Sequence, residues 1–463
     1  LAVGRNLPLP LIVALIAFSA LAFTPAIFND GDTYWHVAAG ATMLDSGTIL
    51  RSDPFSYTFH AAPWQAHEWL SEIFMALAFR AGGWGGVALL TAAAFALTAG
   101  LLCRHLGRWL ELPAQGIVVV LALACMAGSL LARPHLLALP LLEIWIFGLV
   151  AARSEHRAPH WSLWPVMALW ANLHGGFALG FAMLALFGLE AILAEPDKRK
   201  TLISWAAFGI GATVAALLTP QFVDGLLFPL RLMTMHTIGN IGEWQPMDAK
   251  TLAPFAAIVA AGLYFVISRR VKIPLMRTLM VLMLLYLALS HQRHEIVFAV
   301  AVPLILAEPV ARSIGAQAQM WRPRALPAAI TLLLAVAVAA ARLGANVPHG
   351  GALVTPQAAL AHVPENIRIR PVLNDYGFGG YLIFEGVHPF IDSRAELYGD
   401  AFLANYAKII SADPKALAAT LARYHVDWSI FPPSSPAVAM LDRTQGWRRV
   451  YADDVAVVQM RNH

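Results

Sequence analysis

Residues 28–40 read FNDGDTYWHVAAG and place Asp30 and Asp32 directly after an apolar stretch that runs from Leu9 to Phe28. That stretch is long enough to cross a bilayer, and no A-x-A-like cleavage site follows it, so it reads as a span rather than a signal peptide. Carboxylates where a membrane helix meets water are costly to keep near lipid and default to a functional reading. The same stretch opens a pattern in which the chemically capable residues collect at one face of the membrane.

The chain has 463 residues, of which 59% are hydrophobic and 13% charged, with a mean hydropathy of +0.62. Soluble domains carry about 25% charged residues, so this composition marks a polytopic membrane protein. The net charge of +4 does not point to nucleic acid, because the cations sit in short connections between apolar runs. Cys103 and Cys125 lie in or beside such runs, which gives no disulfide framework.

Apolar stretches of spanning length are predicted at 9–28, 84–103, 114–131, 135–151, 160–173, 175–194, 201–219, 252–268, 273–289, 294–311 and 325–343, about eleven in all. Alternate connections hold fifteen cations, from Arg5 to Arg324, against six in the other set. The positive-inside rule then predicts a cytoplasmic N-terminus and a C-terminus outside. Residues 1–343 form the transmembrane domain, with a long first outer loop at 29–83 and a second at 220–251. Within the first loop, Glu68–Phe79 has helical apolar spacing with acids at its start, and predicts an interfacial or short buried helix.

Residues 344–463 have ordinary charge and many turn residues, and predict a small α/β extracytoplasmic domain. The stretches VLNDYGFGGYLIF, HPFID, DWSIF and VAVVQM read as strands, and Asp400–Ile410 and Pro414–Tyr424 as helices. Gly377, Gly379 and Gly380 lack the G-x-G-x-x-G spacing, so GFGG reads as a tight turn rather than a phosphate cradle.

On this topology the outer face gathers Asp30, Asp32, His36, His67, Glu68, Arg133, His135, Asn172, His174, His236, Glu243, His291, Arg293, His294 and Glu295. Such a group suits transfer at a phosphate-linked substrate delivered by lipid. A carboxylate removes a proton from an acceptor hydroxyl or amine. Asp30, Asp32 and Glu243 are also candidate ligands for Mg²⁺ or Mn²⁺, which prefer oxygen and bridge phosphates. Arg133 and Arg293 match phosphate oxygens, and His36, His135, His174, His294 and Glu243 complete the candidate substrate-binding set. Plainer roles stand beside these. The aspartates can cap a loop helix, the arginines can snorkel to the interface, and His36 can make a structural hydrogen bond. Trp35, Trp64, Trp69 and Trp244 read as interfacial anchors.

The first-loop acidic motif, the many membrane helices and the C-terminal extracytoplasmic domain together resemble the GT-C superfamily. That superfamily includes oligosaccharyltransferase catalytic subunits, protein O-mannosyltransferases and bacterial aminoarabinose transferases. GDTYWHVAAG, SDPFSYTF, HEWLSEI, NLHGGF, NDYGFGGYLIF and FIDSRAELYGD also look like a group of bacterial GT-C-like membrane proteins, across most of the chain. The resemblance places the superfamily's acidic motif on Asp30 and Asp32, as acceptor-activating base, metal ligand or both; Asp32, deeper in the loop beside Tyr34, Trp35 and His36, reads as the base and Asp30 as its partner. Glu243 in TIGNIGEW is the candidate for a later-loop glutamate, although its spacing departs from the oligosaccharyltransferase motif. Asp375-Tyr376-Gly377 matches the end of the WWDYG motif, with Leu373 and Asn374 in place of the tryptophans, which puts protein N-glycosylation in doubt.

What the resemblance implies is an inverting glycosyltransferase of a bacterial inner membrane. It would use a polyprenyl-phosphate-linked sugar donor at the periplasmic face to modify a glycan, lipid or protein acceptor. The alternatives are a lipid or glycolipid transporter or flippase, and a non-catalytic scaffold that binds lipid-linked glycan. No repeat halves or paired broken helices of the transporter kind are visible in the sequence.

Overall fold

The structure is a computed structural model that describes residues 8–235, 245–316, 325–346 and 353–462. His236, Glu243 and Trp244 lie outside the described residues. Each predicted apolar stretch falls on a helix. These are α1 (Leu9–Ala22), α3 (Trp69–Leu106), α4 (Leu112–Met126), α5 (Pro134–Ser154), α6 (Leu163–Leu173), α7 (Phe177–Ala194), α8 (Lys198–Ala216), α10 (Ala249–Ser268), α11 (Leu275–Ser290), α12 (Glu295–Ile314) and α13 (Ala325–Gly344). The two outer loops add α2 (Asp32–Ser46) and α9 (Val223–Leu232). Among the described residues, six helices are long and apolar enough to cross a membrane unaided, and four further apolar helices are shorter. Helix α6 has 11 residues. At 1.5 Å per residue it spans only about half of a ~30 Å hydrocarbon core.

Two sets of polar contacts tie the helix ends together, and they show the alternation of direction. At one end, Arg342 of α13 donates to the Ala22 carbonyl at 2.7 Å, Ser71 of α3 to the Leu173 carbonyl at 2.8 Å, and Asn172 to the Leu218 carbonyl at 2.9 Å. At the other end, Arg277 meets Glu190 at 3.4 Å and Glu308 at 3.0 Å, while Arg153 reaches Glu195 at 3.0 Å. The second set joins the ends of α5, α7 and α12 to the start of α11. Arg153 and Arg277, both assigned by charge to the inner side, therefore lie at the end away from Asp30 and Asp32.

The helix expected at Glu68–Phe79 exists, but it is not separate. It is the first part of α3, which bends at Gly82 and Gly83 before entering its apolar span. Gly83 adopts φ +55° and ψ −147°, a conformation that disfavours a β-carbon, so the helix changes direction without ending. Helix α2 packs along this first part and stops at Gly47, which has φ +64°.

The C-terminal region carries a four-stranded sheet of order β1-β2-β4-β3, from β1 (Val372–Asn374), β2 (Trp428–Phe431), β3 (Trp447–Ala452) and β4 (Val457–Arg461). β1 runs parallel to β2, and the other pairs are antiparallel. DWSIF and VAVVQM are strands as expected, and the helix expected over Asp400–Ile410 follows Gly399, whose φ of +71° separates it from a short helical turn starting at Ala395. Two expectations differ. In VLNDYGFGGYLIF only the first three residues are strand, because the Asp375 carboxylate accepts the Gly377 N–H at 2.8 Å and turns the chain. The following Gly379–Phe384 is a helix, α14. Short apolar runs of this kind carry no period that separates strand from buried helix. HPFID is likewise not a strand, since Asn374 rather than a neighbouring strand pairs with its backbone, accepting from Phe390 N at 2.8 Å. β3 has no counterpart among the predicted strands, because its residues alternate poorly between apolar and polar.

The first loop is not a free connection, for it packs into the C-terminal region. Tyr57 donates to the Val372 carbonyl at 2.9 Å and Thr58 to the Phe390 carbonyl at 2.7 Å. At the Asp30-Gly31-Asp32 turn the approach is closest. A β-carbon added at Gly380 would collide with the Gly31 carbonyl, and one at Gly31 would collide with the carbonyl of Gly377. GFGG is thus a contact surface for the acidic turn.

Gly380→Ala is expected to destabilise the protein by about 1–3 kcal/mol, the usual cost of overpacking. Gly116→Ala, inside α4 where a β-carbon meets open space, is expected to stabilise by about 0.5–1 kcal/mol. Thermal unfolding of both variants in detergent checks this; equal melting temperatures would show that the acidic turn is not held by this contact.

Candidate active site

The site begins with the way its helices start. Asp30 uses Oδ1 to accept the backbone N–H of Asp32 at 2.8 Å, which fixes the first turn of α2. Its other oxygen accepts from Arg133 Nη1 at 2.9 Å, and Arg133 Nη2 donates to Asp32 Oδ2. One guanidinium therefore serves both carboxylates. Arg133 stands immediately before Pro134, which occupies the first helical position of α5 and sets its direction.

Four residues beyond Asp32, His36 is buried between two carboxylates of α3 and its approach. His36 Nδ1 lies 3.3 Å from Glu72 Oε1, and Nε2 lies 3.7 Å from Glu68 Oε2. Glu68 is a hub: His174 Nε2 reaches it at 3.4 Å and His67 Nε2 at 3.7 Å. The tautomer of His174 follows from its neighbours. Its Nδ1 accepts the Gly176 N–H at 2.9 Å, so a neutral ring carries its hydrogen on Nε2, facing Glu68. His135 lies with its ring 6.4 Å from that of His174 and its Nε2 3.2 Å from the Ser129 carbonyl. Arg293 and His294 lie at the start of α12, with His294 as its N-cap and its ring 5.6 Å from that of His291.

Burial pushes Glu68 above the usual carboxylate range, with His67, Arg133 and Arg293 pulling the other way. Burial holds His36 well below the ordinary histidine range, aided by the Arg133 guanidinium, and does the same for His174 with Arg293 as the next cause. His67 is also lowered by burial, against the pull of Glu68. The cluster thus prefers neutral imidazoles beside a carboxyl that readily holds a proton, next to carboxylates paired with arginine.

The N-terminal ends of α2, α3, α5, α7 and α12 carry these residues or directly follow them. Helix N-termini present unpaired N–H groups and partial positive charge, so this end of the bundle favours an anion. The predicted residues Asp30, Asp32, His36, Arg133, His135 and His174 are brought into one neighbourhood, and Arg293 is near enough to bias Glu68, His67 and His174. Glu243 and His236 lie outside the described residues. Glu72 was missed, although its spacing of four from Glu68 in HEWLSEI puts both on one helical face. Also missed was the buried set of Asp53, Asp392 and Arg394 beneath the first loop.

Among the described residues, no three His, Cys, Asp or Glu side chains form a group that holds a metal ion. Glu243, the third residue of the expected Mg²⁺ or Mn²⁺ set, lies outside the described residues.

Solved structures with this fold include ArnT from Cupriavidus metallidurans bound to undecaprenyl phosphate, with a TM-score of 0.55 and 14% identity over 97% of this chain and 97% of that one. The apo oligosaccharyltransferase of Archaeoglobus fulgidus aligns with a TM-score of 0.53 and 11% identity over 93% of this chain and 70% of that one. Mycobacterial arabinofuranosyltransferase AftD aligns at 0.54 and 16% identity, over 98% of this chain but 41% of its own length. No family model and no curated protein matches the chain. The likeness establishes a GT-C fold across nearly the whole chain.

A buried neutral imidazole opposes acidification, because the unfolded chain takes up a proton near pH 6.5 that the folded site refuses. Its stabilising effect is present above that pH and is lost as pH falls, by up to about 2 kcal/mol at pH 5 for one such group. Glu68 moves in the opposite sense, since its raised value lets the folded state take up a proton first. His174→Gln is therefore expected to lose less stability than the unaltered protein between pH 7 and pH 5. Parallel melting curves at the two pH values check this, and identical slopes would contradict the burial of a neutral His174.

Proposed function

We propose that this protein is an inverting glycosyltransferase that takes sugar from a polyprenyl-phosphate-linked donor. The observation that carries the reading is the Arg133 guanidinium shared by Asp30 and Asp32 where several helix N-termini meet. Paired carboxylates supply a base, while arginines and helix ends supply a home for a departing phosphate. Phosphate developing charge beside hydrocarbon would otherwise be heavily penalised. The ArnT structure is bound to undecaprenyl phosphate, and a second Archaeoglobus fulgidus structure, that of AglB, is in complex with a dolichol phosphate. Both support a lipid-linked donor here.

In this reading the acceptor hydroxyl or amine attacks the anomeric carbon from the side opposite the phosphate. The bond from the sugar to the phosphate oxygen breaks, and the electron pair leaves with polyprenyl phosphate. Asp32 takes the acceptor's proton. Asp30 holds the turn, with one oxygen on the Asp32 N–H and the other on Arg133. Arg133 and Arg293 receive the leaving phosphate. No step passes through a metal ion. The site opens at the periplasmic face of a bacterial inner membrane, with the N-terminus in the cytoplasm, and the C-terminal region lies over it and faces the glycan, lipid or protein acceptor.

Transport is the weaker reading, because the residues of the candidate site gather at one end of the bundle and alternating access needs a site near the midplane.

Two measurements on the purified protein in lipid test the proposal. Asp32→Asn is expected to reduce turnover of polyprenyl-phosphate sugars by about 10²–10⁴-fold, the range for loss of a general base. Arg133→Gln is expected to weaken binding of undecaprenyl phosphate about tenfold or more, as loss of a charge-assisted phosphate contact does. Turnover that survives Asp32→Asn, or lipid phosphate that does not bind at all, would sink the assignment.

A further inference from the structure

The side chain of Arg394 is fully enclosed and bonded on three nitrogens. Nη1 donates to Asp53 Oδ1 at 2.7 Å, Nη2 to Asp392 Oδ2 at 2.7 Å and Nε to Asp392 Oδ1 at 2.8 Å. Tyr398 donates to Asp392 Oδ2 at 2.7 Å. A cation balanced by two buried carboxylates keeps its place, since removing any one member leaves unpaired charge in the interior. This network joins the first loop, through Asp53, to the C-terminal region. Neither the acidic motif nor the transfer chemistry accounts for it.

Its contacts lead toward the site. The Arg394 guanidinium lies 4.7 Å above the Trp64 ring, and the Trp64 indole N–H donates to Glu396 Oε1 at 2.9 Å. Trp64 meets Trp35 edge to face at 6.0 Å, and the Trp35 N–H donates to Ser393 Oγ at 2.9 Å. On its other side the Trp35 ring lies against His36, with centroids 3.7 Å apart. Ser393, Arg394 and Glu396 thus hold two tryptophans, and one of these supports the imidazole between Glu68 and Glu72. Indole rings move through few torsions, so an anchored pair passes position on without much slack.

Position matters at His36 because a neutral imidazole has one hydrogen and two nitrogens. As oriented, Nδ1 faces Glu72 and Nε2 faces Glu68. A ring turned over, or a hydrogen moved to the other nitrogen, exchanges the two carboxylates between accepting and facing a lone pair. Arg133, His67 and His174 also act on this ring, so any such change is felt across the cluster. Glu72 Oε2 is buried without a hydrogen-bond partner among the described residues, so the Glu72 carboxyl relies on His36 at its other oxygen.

We propose that Ser393, Arg394 and Glu396 are positioning residues for the membrane-face site, fixing the His36 ring through Trp64 and Trp35. What the fixed ring serves rests on the glycosyl-transfer reading. That the ring is fixed from the C-terminal region does not.

The test uses the full chain in lipid nanodiscs with histidine labelled with ¹⁵N in the ring, and His36→Gln to identify the His36 signals. In the unaltered protein the His36 nitrogens are expected to report one tautomer from pH 6 to pH 8. Ser393→Ala and Trp35→Phe each remove the single indole bond without leaving a buried charge. Both are expected to show exchange between tautomers or protonation of the ring within that range. Turnover is expected to drop about tenfold or more with KM little changed, as misplacement of a group near the reacting atoms does. His36 spectra in both variants that match those of the unaltered protein would overturn the proposal. If the unaltered protein turns over no polyprenyl-phosphate sugar, the transfer reading fails while the ring spectra still decide the positioning role.

Discussion

The arrangement turns on one guanidinium. Arg133 lets two carboxylates stand side by side at the end of an apolar helix bundle, each mostly shielded from water. Without that cation, Asp30 and Asp32 would repel one another in a medium that solvates neither. The surrounding helix N-termini add positive potential that falls on the same place. Neighbouring elements support this triad. Pro134 aims Arg133, the Asp30 carboxylate shapes the start of α2, and Gly31 and Gly380 remove the bulk that would hold the C-terminal region away.

The bundle has polar layers at both ends, and their compositions separate their roles. At the far end Arg153, Arg277 and Arg312 are matched by Glu190, Glu195 and Glu308, and the pairs cross-link α5, α7, α11 and α12 directly. Long side chains from helix ends bridge to one another there, which is what a clamp requires. At the near end the ionisable groups include four imidazoles and sit at helix starts and in the loop that packs under the C-terminal region. Neutral imidazoles next to a carboxyl that readily holds a proton make a layer of hydrogen-bond donors and acceptors, which a clamp has no use for.

The sequence disclosed the bundle and the triad for different reasons. Apolar runs of spanning length are a strong signal because a bilayer leaves no other way to satisfy the backbone, and every one of them is a helix. Asp30, Asp32 and Arg133 were legible because charge at the edge of such runs is rare. Glu72 was not, since one acid in an amphipathic helix is unremarkable until its partner, His36, is brought against it by the crossing of α2 and α3. Arg394 was hidden more deeply. Its partner Asp53 is 341 residues away in sequence, and nothing local distinguishes it from a surface arginine. The apolar run after GFGG reads as strand because the residues ahead of it are strand, and the turn made by Asp375 is what separates the two.

Charge balance also bears on why the acidic turn should share its arginine. A guanidinium reserved for phosphate and left bare beside hydrocarbon would carry the full desolvation penalty whenever no phosphate was present. Pairing it with Asp30 and Asp32 removes that penalty and gives both carboxylates a common counter-charge. In the proposed function the donor's phosphodiester, a monoanion, competes with them for Arg133. In that reading the contact that balances the guanidinium also ties the acidic turn to the presence of the donor.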